Sequence, residues 1–232
     1  MLAEESRIRA VYERRRSQQA GAYSWFDIGH VFLMQELEKE VLRALTSHHI
    51  NTLGDKRILE IGCGTGFWLS QFVKYGAKPS KLFGIDLLPW RIQAAQELLP
   101  RAIRLDCGNA DHLDFPDAAV DLVCQFTVFS SILDLELRSK VAREMLRVLR
   151  PDGLILWYDF FVDNPRNPDV RGITMKEIHQ LFPGCRIDFK RVTLAPPLAR
   201  VLARYSPLLS GILGKLRVLN THYLATVHKS PN

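Results

Sequence analysis

The sequence predicts a doubly wound α/β domain: a mostly parallel sheet with an antiparallel final strand and a helical cap. Three observations predict it. From residue 56 onward short apolar runs alternate with helical segments, the first run ends in a cluster of glycines, and the second ends at Asp86. Repeated strand–helix–strand units of this length place parallel strands in one sheet with helices on both faces.

The elements follow in order. Glu4 to about Gln18 reads as a strongly charged helix. Val31 to about Leu45 reads as an amphipathic one, with Val31, Met34, Leu37, Val41 and Leu45 at three- and four-residue spacing. Between them Gly21 to Gly29 is a breaker region carrying Tyr23, Trp25 and Phe26. Residues 1–50 thus read as an N-terminal helical cap, and 51–232 as the main domain. Arg57–Ile61 is a buried-type strand, followed by a helix to about Tyr75 that Gly76 closes. Leu82–Ile85 is the second strand. Pro89–Leu99 is a helix with proline in its first turn, where the missing N–H costs nothing. Ala102–Leu105 and Val120–Phe126 are the third and fourth strands. Leu135–Leu149 is a helix with Leu137, Val141, Met145 and Val148 on one face, and a Pro151-Asp152-Gly153 turn separates it from a fifth strand, Leu154–Phe161. Thr174 and Glu177 have capping-box spacing, which opens a short helix to about Phe182. Arg186–Leu194 and Thr221–His228 alternate like strands and form a hairpin-like pair, one of them antiparallel. A helix pair broken at Ser206-Pro207 lies between them, a cap insertion at about 195–220.

Composition narrows the function classes. The 31 Lys and Arg against 25 Asp and Glu leave a net charge of +6, a mild surplus that permits an anionic substrate or membrane surface and does not by itself indicate nucleic acid. Cys63, Cys107, Cys124 and Cys185 show neither C-x-x-C nor His at ligand spacing, so no metal is expected and reduced thiols in the cytoplasm are. The N-terminus lacks the apolar core of a signal peptide, and no apolar stretch is long enough to span a membrane.

The chemistry begins at Glu60-Ile61-Gly62-Cys63-Gly64-Thr65-Gly66. A strand running into alternating glycines turns sharply and lets backbone approach a ligand without Cβ atoms in the way. A dinucleotide fingerprint needs glycine one place later, where this chain has Phe67. Asp86 ends the next strand, placed to accept hydrogen bonds from both hydroxyls of a ribose. Together these features indicate a nucleoside without a pyrophosphate.

With Gly108-Asn109-Ala110-Asp111 and Leu149-Arg150-Pro151-Asp152-Gly153 added, residues 56–160 resemble the successive motifs of class I S-adenosylmethionine-dependent methyltransferases, which have a Rossmann-like fold. The likeness is to the small-molecule (type 11) branch that includes quinone-biosynthesis enzymes. The resemblance implies S-adenosylmethionine as cofactor and S-adenosylhomocysteine as product. It lays Glu60 and the loop Gly62, Cys63, Gly64 and Gly66 along the methionyl part, Asp86 on the ribose and Leu87 against the adenine. Asn109 stands where the family has Asp; its carbonyl can still accept from the adenine amino group, while the Ala110 N–H meets a ring nitrogen. An N-terminal helix closes over the cofactor in related enzymes, which implies that Tyr12 or Tyr23 hydrogen-bonds the cofactor carboxylate or the acceptor. Packing is the alternative for both.

Ligands of such folds meet at the carboxyl ends of the strands. Gln125 and Phe126 are expected at the sulfonium end, with Thr127 beside the acceptor. Asp159 is the candidate base, against a structural carboxylate paired to arginine. Arg171, in the segment after the fifth strand, is a candidate partner for an acidic group on the acceptor. Residues 195–219 admit three readings: a lid, a hydrophobic acceptor tunnel, or a helix pair in peripheral contact with an anionic membrane. The expected function is in-line methyl transfer to a small-molecule or lipid-linked acceptor, with no nucleic-acid partner. An RNA or protein methyltransferase and a non-catalytic cofactor-binding scaffold are the alternatives.

Overall fold

The computed structural model describes residues 2–18, 24–164 and 167–230. Two helices come first, α1 (Leu2–Gln18) and α2 (Ile28–Ser47). The sheet units follow as β1 (Ile58–Ile61), α3 (Phe67–Lys74), β2 (Leu82–Asp86), α4 (Pro89–Leu98), β3 (Arg104–Cys107), β4 (Val120–Phe126), α5 (Leu135–Val148) and β5 (Leu149–Phe160). The chain closes with α6 (Met175–Leu181), β6 (Cys185–Leu194), α7 (Pro196–Tyr205), α8 (Pro207–Leu216) and β7 (Asn220–Lys229). The seven strands form one sheet in the order β3-β2-β1-β4-β5-β7-β6, with β7 antiparallel to both its neighbours. This is the Rossmann-like arrangement that the alternating pattern predicts, and α7 and α8 are inserted in the β6–β7 hairpin.

Alternation along the strands divides the core into two layers. Leu59, Ile61, Val123, Ile155 and Trp157 face α5 and α6, whereas Ile58, Leu122, Cys124, Leu154 and Leu156 face α2, α3 and α4. Both sides of the central strands are covered, so β1 is buried at every residue. Leu37, Val41 and Leu45 place α2 in the second layer, and Ile8, with Tyr12 packed beside it, joins α1 to the first.

Three of the shifts in expected boundaries have a clear physical cause. α2 begins at Ile28, three residues early, because the Asp27 carboxylate caps it by accepting from the Gly29 N–H at 2.8 Å. β3 runs two residues later than its apolar run, being a half-exposed edge strand whose buried Ile103 precedes it. The largest correction is at Pro151-Asp152-Gly153, which is no turn but part of a continuous β5. The register jumps from Val120↔Leu149 to Leu122↔Leu154, a bulge that takes Pro151, which has no N–H, out of the ladder. Gly153 is required there, since a Cβ would lie 2.7 Å from Leu149 Cδ1. Among the described residues no helix is long and apolar enough to cross a membrane.

His222 on β7 stacks on Tyr158 at 4.8 Å with 6° between the rings, and burial lowers its imidazole from 6.5 to about 3. A depressed folded-state value contributes stability above the unfolded value that is lost as pH falls toward the folded one. Acidification from pH 6.5 to 4.5 should therefore destabilise the wild type, relative to His222→Phe, by on the order of 2–3 kcal/mol. Urea unfolding of both proteins across that range measures the difference.

Candidate functional site

The carboxyl ends of β1, β2 and β4 open into a cleft, and the turn after β1 forms its floor. Gly62, Gly64 and Gly66 all have positive φ, 66°, 54° and 85°. At Gly62 the requirement is also steric: a Cβ would lie 2.4 Å from Val128 Cγ2. The Gly64 N–H donates to Asp86 Oδ2 at 2.8 Å and the Leu88 N–H to Oδ1 at 2.9 Å. These bonds fix the carboxylate at the end of β2 and leave each oxygen a second lone pair.

Of the residues predicted from sequence, Tyr12, Gly62, Asp86, Leu87, Asn109, Ala110, Phe126 and Thr127 line this cleft together. Glu60 and Gln125 lie behind it. Each is buried, and among the described residues the Glu60 Oε2 and Gln125 Nε2 atoms have no hydrogen-bond partner, although Gln125 Oε1 accepts from the Val128 N–H at 2.9 Å. Burial, reinforced by the charge of Asp86, holds the Glu60 carboxyl well above the usual carboxylate range. Gly64, Gly66 and Cys63 support the turn without lining the cleft. The Cys63 thiol is buried beneath Gly84, its N–H donates to the Ile85 carbonyl, and burial pushes its pKa upward.

Three expectations for site residues meet a different geometry. Asp159, the candidate base, is 1% exposed and is not on the cleft wall. Its Oδ2 accepts from the Ser130 N–H at 3.0 Å and its Oδ1 from the Phe160 N–H at 3.0 Å, so it anchors the segment after β4 rather than facing a ligand. Burial raises it to about 6, which the hydrogen bonds from Ser130 and Phe160 and the nearby Arg138 charge only partly oppose. Arg171 pairs with Glu177 and stands outside the cleft, while its N–H donates to the Ser130 carbonyl. Asn109 is turned toward α1, its Nδ2 donating to Glu5 Oε1 at 2.8 Å and its Oδ1 accepting from the Asp111 N–H at 3.3 Å. Tyr23 lies outside the described residues.

The structure adds residues that sequence reading missed. Ile8, one helical turn before Tyr12, brings α1 over the cleft, and Ser131 and Ile132 bring the segment after β4. Glu4 accepts from the Leu133 N–H at 2.6 Å, Arg7 Nη2 donates to the Ser131 carbonyl at 2.6 Å, and the Tyr12 hydroxyl meets Ser131 Oγ at 2.9 Å. Arg91 was also missed. Its guanidinium lies 4.3 Å over the Tyr12 ring and 3.9 Å from Asp86, making it a cation inside the cleft. Only its place one turn into the helix after Asp86 could have signalled it.

The cleft can therefore grip a pair of hydroxyls at Asp86 and hold a flat ring between Leu87, Ala110 and Ile132, with the buried Glu60 carboxyl behind its floor. From its inner end an unbroken series of aromatic contacts leads outward. Phe126 stacks on Trp68 at 4.1 Å, Trp68 meets Phe67 edge-on at 5.4 Å, and Phe67 stacks on Trp25 at 5.3 Å.

Residues 59–157 match the model of a family described as a methyltransferase domain. Over 119 residues the chain is 29% identical to a demethylmenaquinone methyltransferase of Lactiplantibacillus plantarum, covering 49% of each protein. It is 30% identical over 120 residues to the biotin biosynthesis bifunctional protein BioHC of Cellvibrio japonicus, covering 50% of this chain and 22% of that one. The chain spans about half the length, or less, of the curated relatives it matches. Among solved structures it resembles the 1,6-didemethyltoxoflavin-N1-methyltransferase of Burkholderia thailandensis, with bound 1,6-didemethyltoxoflavin and S-adenosylhomocysteine. The TM-score is 0.65 at 17% identity, over 97% of this chain and 88% of that one. An S-adenosylmethionine-dependent methyltransferase from Mesorhizobium loti gives a TM-score of 0.62 at 19% identity, over 85% of this chain and 100% of that one. At these identities the structural likeness is one of fold.

Proposed function

We propose that this chain is a class I (type 11) methyltransferase that transfers the methyl group of S-adenosylmethionine to a small-molecule acceptor, as the match of residues 59–157 to a methyltransferase-domain family model supports. The observation that carries the reading is Asp86, pinned at the end of β2 across a turn free of side chains, with the Glu60 carboxyl buried behind it and its Oε2 without a hydrogen-bond partner among the described residues. When bound, S-adenosylmethionine supplies a methyl group on a sulfonium that departs as neutral sulfide, so no leaving-group proton is needed.

In this reading Asp86 takes the ribose hydroxyls, while Leu87 and Ala110 flank the adenine with Asn109 beside it. Glu60 and the glycine turn receive the methionyl end, where an ammonium would repair the orphaned carboxyl oxygen. Gln125 and Phe126 border the sulfonium. Alignment of donor and acceptor carries much of the rate, worth up to ~7–11 kcal/mol in favourable intramolecular comparisons. Asp159 is held by backbone N–H groups and takes no proton from the acceptor, so an acceptor that is already ionised near neutral pH suits the site. Its carboxylate instead positions the wall that carries Thr127 and Ser131. The aromatic series from Phe126 to Trp25 supports an acceptor with an apolar portion, small or lipid-linked. All four cysteines are free, in keeping with a cytoplasmic setting.

Glu60→Gln separates binding from folding. Removing a buried carboxyl should raise the melting temperature of the ligand-free protein, while affinity for S-adenosylhomocysteine falls roughly tenfold or more. Thermal melts and calorimetry read the two effects. The acceptor is tested by incubating cell extract with the protein and methyl-labelled S-adenosylmethionine, then identifying labelled species by mass spectrometry. A labelled small molecule is expected, and label confined to RNA or protein would overturn the acceptor class.

A further inference from the structure

We propose that α7, α8 and the turn before α2 form a docking surface for an anionic lipid bilayer. Its link to the acceptor rests on the methyl-transfer reading; the surface itself rests on its own residues.

One small cluster ties these elements together. Leu33 of α2, Ala199 of α7 and Leu213 of α8 pack in it, and Gly29 abuts Arg200 so closely that a Cβ would lie 2.5 Å from the Arg200 Cα. Around this cluster, large apolar side chains face water. Phe26 is 99% exposed and Tyr205 86%, with Val218 at 78% and Leu216 at 63%. Solitary exposed apolar residues are ordinary, but several around one helix pair mark an interaction surface.

Charge selects the occupant. Between 195 and 219 the sequence has no acidic residue, and Lys215 and Arg217 are exposed at the end of α8. In Lys215-Leu216-Arg217-Val218-Leu219 the cations alternate with exposed apolar groups. A second copy of the chain would bring these cations against each other, whereas acidic headgroups neutralise them while the apolar side chains enter the acyl boundary. Trp25, half-exposed beside Phe26, is of the type enriched at that boundary. It is also the outer member of the aromatic series that begins at Phe126 on the cleft wall. The same surface that meets the bilayer thus adjoins the route to the reacting end of the cleft.

The test is co-sedimentation of the full chain with vesicles of phosphatidylcholine alone, or of phosphatidylcholine with phosphatidylserine. Wild type is expected to sediment with the anionic vesicles, and less so at high salt. Lys215→Glu with Arg217→Glu should weaken that association by on the order of tenfold or more. Phe26→Ser with Leu216→Ser should weaken association with the anionic vesicles to a similar degree, roughly tenfold. S-adenosylhomocysteine affinity, measured by calorimetry, should be unchanged in both variants. Wild type remaining in the supernatant, or variants that sediment as wild type does, would overturn the proposal. So would a concentration-dependent dimer that both variants abolish. If S-adenosylhomocysteine fails to bind even wild type, the methyl-transfer reading falls, and the vesicle result still decides the surface.

Discussion

Asp86→Ala is expected to weaken S-adenosylhomocysteine binding by at least about a hundredfold. Both oxygens of this buried carboxylate already accept a backbone N–H, from Gly64 and Leu88, so its orientation needs no further ordering when a ligand arrives. Each oxygen keeps a lone pair for a ribose hydroxyl, and a hydrogen bond to a charged group contributes about 1.5–3 kcal/mol. Two such bonds amount to roughly two to four powers of ten in affinity. Alanine also leaves the two N–H donors without their acceptor, so some folding stability is lost. Asp86→Asn keeps the shape and one acceptor oxygen, but turns an amide nitrogen toward one of the donors. It should fall between wild type and alanine. Calorimetry beside circular dichroism distinguishes weak binding from loss of fold, and unchanged affinity in a folded Asp86→Ala protein would refute the role.

The second large effect is expected at Gly62. Alanine there must hold φ of 66°, a conformation that costs an L-residue about 1–2 kcal/mol, and its Cβ must displace Val128 Cγ2 from 2.4 Å. Overpacking of this kind adds about 1–3 kcal/mol. The melting temperature of Gly62→Ala should therefore drop by roughly 5–15 °C for a chain of this size. Binding should weaken as well, because Val128 and the cleft wall it belongs to are pushed out of place. Adding Val128→Ala should restore the steric part and leave the conformational part, so the double variant melts between the single one and wild type. No recovery in the double variant would show that the clash is not the cause.

Much of the fold was legible because the sheet's own demands are local. Buried parallel strands must be apolar runs, and a strand-to-helix turn at positive φ selects glycine, so β1, β2 and the turn at 62–66 announced themselves. Asp86 was legible by its position relative to that turn. What escaped depended on contacts distant in sequence. The charged face of α1 carries no sign that Glu5 will meet Asn109, or that Arg7 will meet Ser131, more than a hundred residues away. Arg171 offered a free cation in the sequence and found Glu177 six residues on, since the capping box puts that carboxylate within reach. Asp159 looked reactive because strand ends are where ligands meet. Its alternation with Trp157 instead turns it into the layer that faces α5, where backbone N–H groups hold it. The bulge in β5 hid behind a Pro-Asp-Gly triplet that more often marks a turn.

Isothermal titration of the unaltered chain with S-adenosylhomocysteine addresses the central assignment most directly. The geometry of Asp86, Gly62 and Glu60 predicts a saturable heat with one molecule bound per chain. A folded protein that releases no heat with either S-adenosylhomocysteine or S-adenosylmethionine, across a range of temperatures, would contradict it.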